Sequence, residues 1–195
     1  INGTAIARGS SWLKDSLGKQ VFPKTCKLVE NPHRLRSGAS RLFDSEGLPT
    51  KKREILSKGV LNGWTLDLAS ARKLGMKPTA NASRSASSNP SPTNWNIELS
   101  SPKDYCDNLL NEMRNGLLVT SLIGSTINPN TGDYSRGVSG FWVEDGQICY
   151  PVSEITIAGN LRDMLKTIIL GNDAQRHLSY VVPSILVEDM TLAGS

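Results

Sequence analysis

The sequence predicts an α+β fold: largely antiparallel sheets built from β-hairpins, barrel-like in arrangement, with a few short helices. Two observations carry this. Apolar runs are strand-sized and punctuated by short Gly- or Asp-containing turns, and helical spacing recurs in only three brief windows. No stretch approaches the ~20 apolar residues that a bilayer span needs.

The elements follow in order. Arg53–Ser57 and the run from Val60 flank Lys58-Gly59, which predicts a hairpin. Asp67–Leu74 reads as a short helix, with Asp67 or Ser70 near its start and Gly75 as its stop. Thr79–Asn94 holds many Ser residues, two Pro and no large apolar side chain, so a flexible linker is expected between residues 1–78 and a domain over residues 95–195. Trp95–Leu99 reads as a strand. Ser101-Pro102 is expected to open a helix, since Ser caps free N–H groups and Pro suits the first helical position. Cys106, Leu109, Leu110 and Met113 would form its apolar stripe, with Gly116 ending it. Leu117–Ile123 is a strand-length run. Phe141–Val143 and Gln147–Tyr150 flank Glu144-Asp145-Gly146 as a second hairpin, and Ile155–Ala158 reads as another strand. Asn160 is expected to cap a helix through Leu161, Met164, Leu165 and Ile168, closed by Gly171. Tyr180–Val187 gives a last strand, which Pro183 pushes to an edge or bulge.

Composition narrows the class without naming a function. Hydrophobic content of 38% and charged content of 21% are those of a globular chain. Residues 1–95 carry 16 basic and 6 acidic side chains (+10), and residues 96–195 carry 6 basic and 12 acidic (−6). A basic half would suit nucleic acid. However, its charges are scattered, the tightest run is Lys51-Lys52-Arg53, and aromatic residues make up only 6% of the chain, so stacking platforms are thin. Solvated strand edges account for the charge better. Cys26, Cys106 and Cys149 are far apart and form no CxxC pair, which points to free thiols in a reducing compartment.

A metal site needs converging ligands, commonly two on one helical face. The two histidines, His33 and His177, begin no such helix, and neither a nucleophile elbow nor a phosphate loop occurs. The densest polar segment is Asn128–Ser139, where turn signals lead into Asp133, Tyr134, Ser135 and Arg136, followed by Gly137 and Gly140. Glycines inside a strand imply a bulge or close approach by another backbone. That backbone could be an added peptide strand, but tight intramolecular packing is the reading the residues favour.

The stretch from Gly116 through Leu165, with Phe43–Thr50, Ser70–Gly75 and Ser184–Gly194, resembles the TldD/PmbA family, and specifically its PmbA (TldE) branch. The similarity covers nearly the whole chain except the Ser-rich segment. Family members are longer, so an N-terminal half is expected beyond Ile1. The resemblance implies a cytoplasmic bacterial metalloprotease assembled from two homologous subunits. A TldD-type subunit carries HExxxH and a late Cys ligand, and zinc is expected there. The PmbA-type subunit lacks that helix, as this sequence does, and Tyr180–Ser184 contains no Cys.

The family is associated with cleaving unfolded or leader peptides, in microcin-type precursor maturation and antitoxin degradation. The chain would accordingly pair with a TldD-type subunit, or with itself if that partner is absent. It would carry no cofactor or catalytic residue of its own and would touch neither membrane nor nucleic acid. Asp133, Tyr134, Ser135, Arg136 and Glu154 are its candidate substrate or interface residues. The family's older label, modulator of DNA gyrase, leaves a regulatory binding module as the alternative. A self-sufficient hydrolase is a third reading.

Overall fold

The computed structural model describes residues 1–101 and 105–194, apart from the side chains of residues 125 and 126. A short helix, α1 (Gly3–Ala7), starts where Asn2 accepts hydrogen bonds from the N–H groups of Thr4 and Ala5. Strand β1 (Lys27–Glu30) pairs antiparallel with β2 (Arg53–Ser57), and β2 turns back into β3 (Val60–Leu61). The turn is the expected Lys58-Gly59, with φ of 51° and 74°. Gly59 also lies so close to its neighbour that a Cβ would sit 2.2 Å from the Phe22 carbonyl oxygen.

Helix α2 (Leu68–Leu74) matches its expected bounds. Asp67 accepts from the Ser70 N–H at 2.8 Å, and Ser70 Oγ accepts from the Asp67 N–H at 3.2 Å, a reciprocal cap. Gly75, with φ of 64°, ends the helix in the left-handed conformation.

The Ser-rich segment is not an unstructured connector along its length. Its ends form a small hairpin, β4 (Ala82–Ser83) with β5 (Ser91–Pro92), and residues 84–89 make the exposed tip. Asn81 and Ala82 are fully buried, and the Trp95 indole N–H donates to the Ala80 carbonyl at 2.9 Å. The aromatic ring just beyond the segment and the buried polar groups inside it hold the hairpin. Next, β6 (Ile97–Ser100) pairs antiparallel with β1, and β12 (Tyr180–Val181) lies parallel to β6. The resulting five-stranded sheet, β12-β6-β1-β2-β3, joins residues on both sides of 79–94.

Two helices are shorter than their spacing predicts. Pro102 lies outside the described residues. Tyr105–Cys106 is strand β7, parallel to β11 (Ile169–Gly171), so Cys106 is a half-buried strand residue and not part of a helical stripe. Helix α3 (Leu109–Met113) starts only where Asn108 accepts from the Asn111 N–H. Likewise α4 (Leu161–Met164), capped by Asn160, stops before Ile168, because the following residues pair as β11 with β13 (Ile185–Leu186). Pro183 divides the expected last strand in two, and β12 and β13 belong to different sheets.

The most extended unit is a sheet of long strands: β8 (Gly116–Ile127), β9 (Asp133–Glu144) and β10 (Gln147–Asn160). Ile155–Ala158 continues β10 instead of forming a strand of its own. The β9–β10 loop is Asp145-Gly146, with φ of 48° and 76°. A short strand, β14 (Thr191–Ala193), covers part of β10, giving the order β14-β10-β9-β8. Among the described strands, the pairings are antiparallel except β6–β12 and β7–β11, and an isolated parallel bridge joins Asn2 to Thr65. The barrel-like expectation is corrected: every described sheet is open. The core lies elsewhere, in one cluster around Ile6, Ile55, Leu61, Trp64 and Leu66 and another around Cys26, Leu99, Ile168 and Leu170. The long sheet stands outside both.

Candidate functional site

Strand β9 carries four of the five candidate residues, and alternation along a strand separates them. Tyr134 and Arg136 share a face with Val138, while Asp133 and Ser135 point to the other. Tyr134 and Ser135 are paired on both sides, Tyr134 between Ile127 and Gly159 and Ser135 between Thr126 and Ala158, while Asp133 pairs with Asn160 and Arg136 with Ile157 on β10. β9 is thus an inner strand of the sheet, as β10 is, and its main chain is used within the molecule. Gly140 has the same explanation, whereas a Cβ on Gly137 would make only an ordinary 3.6 Å contact with Ile123. A Cβ on Gly140 would lie 1.9 Å from the Leu118 carbonyl oxygen, so the close backbone is that of β8.

Asp133 belongs to the turn between β8 and β9. Its carboxylate accepts from Thr131 Oγ1 at 2.6 Å and from Asn160 Nδ2 at 2.9 Å, and these bonds lower its pKa below the usual carboxylate range. The turn is held from outside as well. Trp12 N–H donates to the Pro129 carbonyl at 2.6 Å, Leu161 N–H to that of Gly132 at 2.8 Å, and Arg162 to that of Trp12 at 3.2 Å. The Arg136 guanidinium donates to the Gly124 carbonyl on β8, while its Nε is buried without a partner among the described residues. Glu154 is exposed, with φ of 58°, at the irregularity of β10 between Val152 and Ile155. The five residues thus serve a turn, a strand register and a bulge, and they converge on no common point.

The basic run is also broken up by the fold. Lys51 and Lys52 are exposed, but Arg53 turns inward to pair with the buried Glu30. Two features escape sequence reasoning because they arise only from tertiary pairing. One is the open edge of β8. The other is a cleft of about 610 Å³ beside the core cluster of Cys26, Ile168 and Leu170, whose walls also include Cys106, Glu112 and Lys166. The buried Ser101 hydroxyl has no hydrogen-bond partner among the described residues.

For metal, His33 sits in an exposed loop with its Nε2 3.1 Å from Thr50 Oγ1, and His177 is exposed on a separate loop. Among the described residues, no three His, Cys, Asp or Glu side chains group as a metal site. No described helix is long and apolar enough to cross a membrane.

Residues 1–194 match the family model described as the PmbA/TldA metallopeptidase C-terminal domain. The chain belongs to the PmbA/TldD family. Within it, the chain is 45% identical over its full length to the metalloprotease PmbA of Escherichia coli O157:H7, spanning 41% of that protein. Its identity to a metalloprotease TldD homolog of Buchnera aphidicola is 24%, over 100% of this chain and 44% of that protein, which places the sequence nearer the PmbA branch. A solved Bacteroides thetaiotaomicron protein assigned as a modulator of DNA gyrase matches over 100% of this chain and 42% of its own, with a TM-score of 0.87 and 31% identity. The chain thus spans about two-fifths of the length of the relatives it matches, in the family's C-terminal domain.

Proposed function

We propose that this PmbA-type chain is part of a cytoplasmic peptidase that cleaves unfolded or leader peptides, as in microcin-type precursor maturation and antitoxin degradation. In this reading the zinc and its ligands belong to a TldD-type subunit, with which the chain forms a heterodimer; where that partner is absent, the chain forms a homodimer. The observation that carries the proposal is the 45% full-length identity to a protein named metalloprotease PmbA. When bound in the partner, zinc supplies a water of lowered pKa. This chain's own contribution is shape: open sheet, main-chain hydrogen-bonding groups and apolar surface beside the site of cleavage. Main-chain capture of an extended peptide gives little sequence preference, which suits unfolded substrates.

The test is proteolysis of an unstructured peptide by each full-length subunit alone and then by the two together, with and without chelator. Activity only in the mixture, abolished by chelator, is the expected result. Full activity from the TldD-type subunit alone, unchanged on adding this protein, would sink the shared mechanism. Elemental analysis of the desalted chain should show no stoichiometric zinc.

A second reading, a regulatory module acting on gyrase, draws on the gyrase-modulator name of the Bacteroides relative and on the basic first half. A steep loss of duplex binding with rising salt would favour it.

A further inference from the structure

Three Asn-Gly pairs occur in the sequence: Asn2-Gly3, Asn62-Gly63 and Asn115-Gly116. In such a pair the main-chain nitrogen of the glycine can reach the side-chain amide carbon before it. Glycine has no Cβ to obstruct the approach, and its backbone turns freely. The fold treats the three pairs differently. Gly3 is buried, its N–H donates to the Thr65 carbonyl at 2.8 Å, and Asn2 Oδ1 caps α1. Asn115 Oδ1 accepts from the Asp145 N–H at 3.0 Å, and Gly116 is fixed in β8 opposite Val143. The related Asp145-Gly146 is held too, since the Gly146 N–H donates to the Arg114 carbonyl at 2.8 Å.

Asn62-Gly63 is left open. It lies just beyond β3, outside any helix or strand, with Asn62 exposed. The Gly63 N–H has no hydrogen-bond partner among the described residues. The Asn62 side chain donates from Nδ2 to the Glu54 carbonyl at 3.5 Å, which is long for a hydrogen bond. Nothing lies within 4 Å of where a Gly63 Cβ would stand. Neither reacting group is held elsewhere.

We propose that Asn62-Gly63 is a modification site, at which the chain deamidates itself through a cyclic imide. The Gly63 nitrogen gives its proton to water and bonds to Asn62 Cγ. The bond from Cγ to Nδ2 breaks, and that nitrogen takes up a proton and leaves as ammonia. A second water opens the ring at either carbonyl, leaving aspartate or isoaspartate at position 62. The net change is one water in and one ammonia out, with no oxidant or reductant. Isoaspartate adds a main-chain carbon to the link between Leu61 and Trp64, both core residues. That link is pinned at each end, by the Leu61 N–H on the Lys19 carbonyl and the Thr65 N–H on the Ile1 carbonyl, each at 3.0 Å. The added atom therefore strains the core, and the converted protein is less stable. None of this depends on the peptidase reading.

The experiment incubates the full-length protein at mildly alkaline pH, native and in denaturant, and follows each asparagine by peptide mapping. Trypsin releases Asn62 within Gly59–Arg72, where it is the sole asparagine. An isoaspartate methyltransferase with labelled methyl donor counts the isoaspartate product. In denaturant the three pairs should convert at similar rates. In the native protein Asn62 should stay within about threefold of that rate, while Asn2 and Asn115 slow by at least about tenfold, as groups freed only by local opening do. Gly63→Ala has room for its methyl and should leave the circular dichroism spectrum unchanged, yet slow conversion at Asn62 by at least about tenfold. The converted fraction, separated by its added negative charge, should melt below the unconverted one. Native protection of Asn62 equal to that of Asn2 overturns the proposal, as does undiminished conversion in Gly63→Ala. Equal melting of the two fractions overturns the claim that the core is strained.

Discussion

Arg53 and Glu30 form an ion pair inside the molecule, with Arg53 Nε 2.5 Å from Glu30 Oε2 and the glutamate side chain only 1% exposed. The pair is fully partnered. The other glutamate oxygen accepts from Asn81, Asn94 and the Trp95 N–H, and the guanidinium also donates to the Trp64 carbonyl and to Thr65 Oγ1. It thus ties β1 and β2 to the Ser-rich hairpin. Removing one member leaves a buried charge without compensation. Arg53→Ala should therefore lower stability by about 3–5 kcal/mol. Urea unfolding measures this, and a loss comparable to a surface mutation would show that the pair is solvated.

The cap of α2 is a smaller and more local case. Asp67 satisfies the Ser70 N–H, and its replacement leaves that donor free at a buried helix start. Asp67→Ala should cost about 0.5–2 kcal/mol, and Asp67→Asn much less. Thermal unfolding of both variants checks the order, and equal losses would assign the effect to charge instead of capping.

These two cases mark what was legible in the sequence. Local chemistry was: Asp67 with Ser70, Lys58-Gly59 and Asp145-Gly146 each fix their element through bonds or φ values within a few residues. The strand β1 was not, because Lys27–Glu30 has no clear alternation and its burial depends on a partner for Glu30 brought from a distance. The same holds for Thr79–Asn94, whose polar composition conceals an Asn81 amide bonded to Glu30. Apolar spacing misled where tertiary pairing outweighed it: Cys106 and Ile169–Leu170 read as helix but pair with each other's strands. Among the candidate site residues, Asp133–Arg136 were visible as a polar segment, but which edge of the sheet stays open depends on strand order.

Asp173 gives a pH dependence of definite sign. Its carboxylate accepts from the Ser184 hydroxyl at 2.5 Å and from the Ser184 N–H at 2.7 Å, which lowers its pKa below the ordinary value. A group with a depressed folded-state pKa contributes stability above its unfolded pKa and loses it as pH falls through the folded one. The contribution is thus present at neutral pH and fades on acidification below the ordinary Asp range. Asp173→Asn should lower stability at neutral pH and flatten the acid side of a plot of Tm against pH. An acid limb unchanged by the substitution would remove Asp173 from its cause.

Gly137 and Gly140 offer a matched test of the long sheet, since both lie in β9 and only one has no room. A methyl on Gly140 would meet the Leu118 carbonyl oxygen at 1.9 Å and the Leu118 carbonyl carbon at 2.9 Å. On Gly137 it would meet Ile123 Cβ at 3.6 Å, an ordinary contact. The first clash is with backbone, so β8 must move away from β9. Gly140→Ala should accordingly cost about 1–3 kcal/mol or more, as overpacked interiors do, and should loosen β8. Gly137→Ala should be near neutral or slightly stabilising, because it removes unfolded-state freedom without strain. Hydrogen exchange along Gly116–Ile123, read beside urea unfolding, separates the two. Faster exchange in Gly140→Ala alone is the expected pattern. Equal exchange in both variants would mean that the sheet absorbs the methyl, and that the glycine is there for some reason other than close approach.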